Sequence, residues 1–198
     1  MSTTASRPVV AASEGPAWRT RDIVVTAIIG VVFGVVFQVW NQVAAATSGL
    51  FTAFPPAQNL LYGVWLMPAV LAPLIVRKPG AALFAELVAA GLSLFLGSPY
   101  GADTLLSGFV QGAGAELVFM VFRYRVWSMP VVSLAAAASA SAAWGHDWII
   151  WSPTMGIDVQ FWFWVCAVVS AILITAGGSL MLARSLRQAG ALKGFPAG

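Results

Sequence analysis

LLYGVWLMPAVLAPLIVRKPGAALFAELVAA, residues 60–90, decides the fold. Two apolar runs flank a four-residue polar turn, Arg77, Lys78, Pro79 and Gly80. A helix needs about 20 mainly apolar residues to cross the hydrocarbon core of a bilayer. Extended outward to Asn59–Val76 and Gly80–Gly97, the two runs each approach that length and read as consecutive membrane-crossing helices. The same pattern recurs on both sides. A first span is predicted from Ile23 to about Ala45, a fourth from Thr104 to Phe122 and a sixth from about Val159 to Ala183. The fifth starts near Met129 and ends between Trp144 and Trp151, because Gly145, His146 and Asp147 could break it. The expected fold is therefore all-α: a polytopic membrane protein with six transmembrane helices.

Composition agrees. The chain has 198 residues, 60% of them hydrophobic, with 10 basic and 7 acidic residues making up only 9%. Ordinary soluble domains carry roughly 25% charged residues, and a chain this size cannot hide so much apolar surface from water. A soluble enzyme, a disordered protein and a nucleic-acid binder are excluded. The net charge of +3 is too small, and too dispersed among loops, to mark a nucleic-acid face. The single cysteine, Cys166, has no intramolecular partner.

The basic residues set the orientation. Arg7, Arg19 and Arg21 precede the first span; Arg77 and Lys78 join the second to the third; Arg123 and Arg125 join the fourth to the fifth; Arg184, Arg187 and Lys193 follow the sixth. Six spans put all 10 on one side, and the positive-inside rule makes that side cytoplasmic, with both termini on it. Residues 1–18 show no signal-sequence core and read as a disordered cytoplasmic tail; 19–183 form the membrane domain, and 184–198 a C-terminal cytoplasmic tail. The opposite side holds Asp103, Asp147 and Asp158 without Lys or Arg. Trp40, Trp65, Trp144, Trp148, Trp151, Trp162 and Trp164 gather towards it, with Tyr62 and Tyr100. A belt would populate both interfaces, so the asymmetry favours an aromatic pocket open to the outside.

Polar groups inside the spans are the functional candidates. Glu86 and Glu116 lie on consecutive antiparallel helices, each about 9–11 Å above the inner boundary at ~1.5 Å per residue. An acid at such depth costs ~2.5 kcal/mol or more and faces the bundle interior. Gln38, Trp40, Asn41 and Gln42 cluster near the outer end of the first span, and Gln111 lies in the outer half of the fourth. Amides both donate and accept, which suits a neutral heteroaromatic bearing ring nitrogens and an exocyclic amine. Interhelical hydrogen bonding is the structural alternative. His146 and Asp147, between Trp144 and Trp148, form a second outer cluster; a lone histidine is a poor metal site. Thr26, Gly30 and Gly34 form a small-residue ridge, as do Gly108 and Gly112. Such ridges serve packing within the bundle or, for the first span, contact with a partner subunit. No phosphate-binding GxxxxGK[ST], no GxSxG and no HExxH is present, so energy for active transport would come from another chain.

The stretch at 60–90, TLLSGFVQGAGAELVFMVFRYRVW at 104–127 and WRTRDIVVTAIIGVVFGVVFQVWNQ at 18–42 resemble the YkoE family. These are substrate-binding S components of energy-coupling factor (ECF) vitamin transporters, assigned to thiamine or its hydroxymethylpyrimidine precursor. The resemblance implies a multi-pass plasma-membrane protein with six helices and both termini inside. It implies an outer-half vitamin pocket closed by the loop after the first helix, here Ala46–Gln58. It implies docking on a transmembrane T component driven by ABC ATPases. The chain would need no cofactor of its own, ATP being used by the partner subunits. Ala27, Gly30 and Gly34 resemble the family's small-residue coupling motif on the first helix, where many S components show AxxxA and this sequence has TxxxGxxxG.

The residues chosen for ligand contact are Gln38, Trp40, Asn41, Tyr62, Trp65, Glu86, Gln111, Glu116, Trp144, His146 and Trp148. Stacking rings suit both halves of thiamine, and a cation over an aromatic face gains ~0.5–2 kcal/mol. Of the two acids, Glu86 is expected to touch ligand and Glu116 to look structural. No catalytic or metal-ligating residue is assigned. The alternatives are an S component for another small heteroaromatic or amine, an intramembrane enzyme using Glu86 and Glu116 as acid and base, and a structural subunit without ligand.

Overall fold

In the computed structural model, residues 17–197 are described, and among them there is no strand. A chain in hydrocarbon must satisfy its backbone polar groups internally, and helices do so. Helix α1 is Thr20–Thr47, followed by a 3-10 turn, Ser48–Phe51, and a longer 3-10 segment, Pro55–Val64. Then come α2 (Met67–Val76), α3 (Ala81–Phe95), α4 (Asp103–Val121) and α5 (Met129–Trp151). Helix α6 (Ile157–Ser170) continues through a π-helical stretch, Ala171–Ala176, into α7 (Gly177–Gln188).

Among the described residues, four stretches are long and apolar enough to cross a membrane: Thr20–Phe51, Pro55–Val76, Asp103–Val121 and Ile157–Gln188. Ala81–Phe95 is apolar but shorter. Met129–Trp151 has the length, at 23 residues, but its apolar character is diluted by small and polar residues, among them Gly145, His146 and Asp147. The uncertain end of the fifth helix is at Trp151, so His146 and Asp147 lie inside it.

The second predicted span is not one helix. Pro68 stands at the second position of α2, where its missing N–H costs nothing, and the preceding residues are held as a 3-10 segment by α6. Gly63 N–H donates to Ser170 Oγ at 2.9 Å, Thr175 Oγ1 donates to Gly63 O at 2.6 Å, and Ser170 Oγ donates to Leu60 O at 2.6 Å. Gly63 permits this approach: a Cβ there would lie 2.7 Å from Ser170 O. The 3-10 segment and the π-helical stretch thus irregularly wind against each other and satisfy each other's polar groups.

Helix α2 is the centre of the bundle, with every residue from Met67 to Val76 buried. Helices α1, α3, α4, α5 and α7 surround it. The ridge of Thr26, Gly30 and Gly34 is seated on α3. A Cβ at Gly30 would fall 2.6 Å from Val88 Cβ and 2.8 Å from Ala85 O; at Gly34, 2.7 Å from Leu92 Cβ. The expectation that Gly30 and Gly34, with Ala27, present a face to a partner subunit is corrected here. Both glycines are buried and Ala27 is half-buried; close packing inside the chain accounts for the ridge. The opposite face of α1, with Ile28, Val31, Val35 and Val39, is exposed and apolar, as a lipid-facing surface must be.

The chain ends differ in extent from the expectation. Trp18, assigned above to the tail, donates its indole N–H to Pro79 O at 3.0 Å and packs edge-on against Phe84; residues 1–16 of that tail lie outside the described residues. Helix α7 runs past Ala183 to Gln188, Leu192 is buried, and Arg21 lies over the Phe195 ring at 5.0 Å.

Candidate functional site

A cavity of about 290 Å³ opens among the helix ends at Thr47, Phe95 and Trp151. Phe37 and Asn41 of α1, Tyr62 of the 3-10 segment and Trp65 form one side. Glu86, Ala90 and Ser93 of α3 form the floor and next wall. Asp103, Ser107 and Gln111 of α4 continue it, and Trp144, Asp147 and Trp151 of α5 with Gln160 and Phe163 of α6 complete it. No lining residue is Lys or Arg, whereas three are carboxylic acids.

The lining is pre-positioned. Trp65 Nε1 donates to Asn41 Oδ1 at 3.0 Å, and Tyr62 packs edge-on against Trp65 at 5.7 Å. Tyr62 OH donates to Asp147 Oδ2 at 2.7 Å. Gln111 Nε2 donates to Ser107 Oγ at 2.7 Å. Trp144 Nε1 donates to Gln160 O at 2.9 Å, and Gln160 Nε2 donates to Ser152 Oγ at 2.7 Å.

Glu86 is fully buried. Its Oε2 accepts from the Ala69 N–H at 3.0 Å, in the first turn of α2. The break between the 3-10 segment and α2 leaves helix-start N–H groups inside the bundle, and a carboxylate there meets both the orphan donor and the positive end of the helix. Its Oε1, equally buried, has no hydrogen-bond partner among the described residues. A buried acceptor left unpaired costs about 1–3 kcal/mol, more if charged, and Glu86 is one of the residues lining the cavity.

Residues 21–143 match the family model described as "ABC-type cobalt transport system, permease component". The chain belongs to that family. A protein of Bacillus subtilis (strain 168) named as the HMP/thiamine permease protein YkoE is 38% identical to this chain over 130 residues, 66% of this chain. The match spans 64% of that relative, less than two thirds of its length. The fold is that of a solved structure described as an S-component of an ECF transporter, with a TM-score of 0.86, 31% identity and 91% of each chain covered. This is a multi-pass membrane protein of a transport family rather than an enzyme family.

Of the residues chosen from the sequence, the cavity gathers Asn41, Tyr62, Trp65, Glu86, Gln111 and Trp144. Five stand outside its lining. Gln38 is half-buried, its Nε2 3.5 Å from Gly97 O. Trp40 ties α1 to the 3-10 segment through Nε1 to Leu61 O at 2.9 Å. Trp148 packs on Trp144 at 5.2 Å. His146 lies behind the wall, within 2.9 Å of Asp147 Oδ1 and 3.1 Å of Asp103 Oδ1. Glu116 sits at the other end of the bundle. Its Oε1 accepts from Gly80 N–H at 2.6 Å and from Tyr124 OH at 2.6 Å, and its Oε2 from Ala82 N–H at 2.9 Å. Burial, and then the bond to Glu116, push the Tyr124 phenol well above its ordinary value, so Tyr124 remains a donor.

Asn59, Asp103, Trp151, Gln160 and Phe163 were not singled out as ligand contacts, yet they line the cavity. One signal was readable: Asp103, Ser107 and Gln111 recur every four residues and share one face of α4.

Proposed function

We propose that this chain is the substrate-capture S component of an ECF-type importer, binding thiamine or its hydroxymethylpyrimidine precursor. Both ligands carry an aminopyrimidine, and only thiamine adds a cationic thiazolium. The unpaired Glu86 Oε1 in the cavity wall carries this reading: a buried acceptor suits a ring-bound amine or a cation. Tyr62, Trp65 and Trp144 supply aromatic faces, and Asn41 and Gln111 supply amides. At about 290 Å³, the cavity lies at the lower end of the roughly 300–1,000 Å³ range of small-molecule pockets, which suits a ligand of one or two rings. The likeness to a protein named as an HMP/thiamine permease supports the same substrate class.

The six helical stretches cross the membrane with both termini on the cytoplasmic side, where the basic residues gather, and the cavity faces outward. The segment between α1 and α2 covers the cavity's flank. A T component with ABC ATPases receives the loaded protein and drives release. The family description names cobalt as cargo. Among the described residues no group of three or more His, Cys, Asp or Glu side chains is placed to hold a metal ion, and the aromatic lining favours an organic ring.

Calorimetric titration of the purified protein with thiamine, hydroxymethylpyrimidine and Co²⁺ tests the proposal. Saturable binding of either pyrimidine, undisturbed by Co²⁺, is expected. Binding of Co²⁺ with none of the pyrimidines would overturn it.

A further inference from the structure

His146 is the single histidine of the chain, buried inside α5 with both ring nitrogens against carboxylate oxygens. Nδ1 is 2.9 Å from Asp147 Oδ1 on its own helix, and Nε2 is 3.1 Å from Asp103 Oδ1 at the start of α4. A neutral imidazole has one N–H and one lone pair. With both acids ionised, a neutral ring would turn a lone pair on a carboxylate oxygen at one of the two contacts. An imidazolium donates at both.

The consequences reach the cavity. The other oxygen of Asp147 holds Tyr62 OH at 2.7 Å, and the other oxygen of Asp103 holds Trp151 Nε1 at 2.9 Å. All four of these residues line the cavity. The α4–α5 seam is fastened differently along its length. Deeper in the bundle it is closed by small residues: a Cβ at Gly114 would lie 2.8 Å from Ala138 O, and Ser139 Oγ donates to Gln111 O at 2.8 Å. Those contacts involve no ionisable group. At the outer end, the polar fastening is His146 to Asp103, with Trp151 beside it. On its outer side His146 borders a shallow apolar groove with Leu106, Val110, Ile149 and Ile150.

We propose that His146 is a proton-operated latch on the α4–α5 seam: its imidazolium holds Asp103 and Asp147 together and keeps the cavity wall closed, and loss of the proton loosens it. The ionisable groups facing this latch are Asp103 from α4, Asp147 from α5, Tyr62 from the 3-10 segment and Tyr100 from the loop before α4, which interacts with Asp147. Glu86 faces the same cavity from α3, and Asp158 of α6 is exposed. The latch is closed while both ring nitrogens carry protons and open once one of them is lost. The latch acts on the empty protein, so its test needs no ligand.

With one histidine, ¹⁵N-histidine labelling reads His146 alone, provided the affinity tag contains no histidine. The imidazole nitrogens of the folded, ligand-free protein are followed with pH. In parallel, Ser107→Cys in a Cys166→Ala background is modified by a water-soluble methanethiosulfonate and normalised to the same cysteine in a His146→Gln protein. Both nitrogens should be protonated at low pH. The normalised rate should rise roughly tenfold through the imidazole titration, the scale of one lost charge-assisted hydrogen bond. An imidazole that is neutral throughout, or a modification rate without a step at its titration, overturns the latch. Should the cysteine proteins not fold, acrylamide quenching of the native tryptophans, which include Trp144 and Trp151 on the wall, is read against the same titration with the same two outcomes.

Discussion

Glu86 and Glu116 are alike on paper and differ in how fully their oxygens are engaged. Each lies within an apolar helix, and each accepts a hydrogen bond from the first turn of a neighbouring helix, Glu86 from Ala69 of α2 and Glu116 from Ala82 of α3. Glu116 completes its set: Gly80 N–H, Ala82 N–H and Tyr124 OH engage both oxygens. Glu86 uses one oxygen and leaves the other unpaired in the cavity wall. A carboxylate that satisfies a helix start and has nothing left over is a fastening. One that satisfies a helix start and keeps an acceptor spare is a fastening that, under the proposed function, also meets the ligand.

Removing the fastening alone should have the largest effect on folding. Glu116→Ala leaves two backbone donors and a phenol without their partner at a partly buried helix start, and each such group costs about 1–3 kcal/mol. A loss of ~3 kcal/mol or more is expected in thermal unfolding, with ligand affinity of the surviving folded protein unchanged. A selective loss of affinity at intact stability would erase the distinction between the two acids.

The glycine ridge sharpens the same contrast between packing and function. Gly30→Leu or Gly34→Leu drives a side chain into α3, and overpacking of this kind costs typically ~1–3 kcal/mol. Stability and uptake should fall together. Uptake lost at native stability and native ligand affinity would return the ridge to a partner-facing role.

The smallest change is expected at Tyr124. Tyr124→Phe removes one donor to Glu116 and leaves the two backbone ones, so roughly 0.5–1.5 kcal/mol of stability should be lost. Unfolding midpoints measured beside Glu116→Ala check the ordering.

The fold was legible because the bilayer imposes it: apolar runs of spanning length, punctuated by basic turns such as Arg77–Lys78, leave few arrangements of the chain. The irregular parts were hidden. That Pro68 starts a helix inside the bundle, with a 3-10 segment before it, depends on Ser170 and Thr175 more than 100 residues away. The small-residue ridge was visible, but its partner was not, since the same chemistry serves a neighbouring helix or another subunit. Within the site, Asn41 and Gln111 stood out as amides in apolar helices. Asp103 escaped because a polar residue at a helix start needs no special explanation, and Gln38, three residues from Asn41, turns towards Gly97 instead of the cavity. The relative burdens of Glu86 and Glu116 could be guessed from ligand chemistry, whereas the three donors around Glu116 come from two separate places in the chain, the start of α3 and the turn after α4.

The most direct test is a pair of binding isotherms, for thiamine and for hydroxymethylpyrimidine, on Glu86→Gln and Glu116→Gln. A charge-assisted contact contributes roughly 1.5–3 kcal/mol against ~0.5–1.5 for a neutral one. Glu86→Gln should therefore weaken thiamine about five- to thirtyfold more than the neutral pyrimidine, while Glu116→Gln leaves the ratio of the two affinities unchanged. Equal, small losses for both ligands on both variants would remove Glu86 from the ligand site and contradict the division of labour between the two acids.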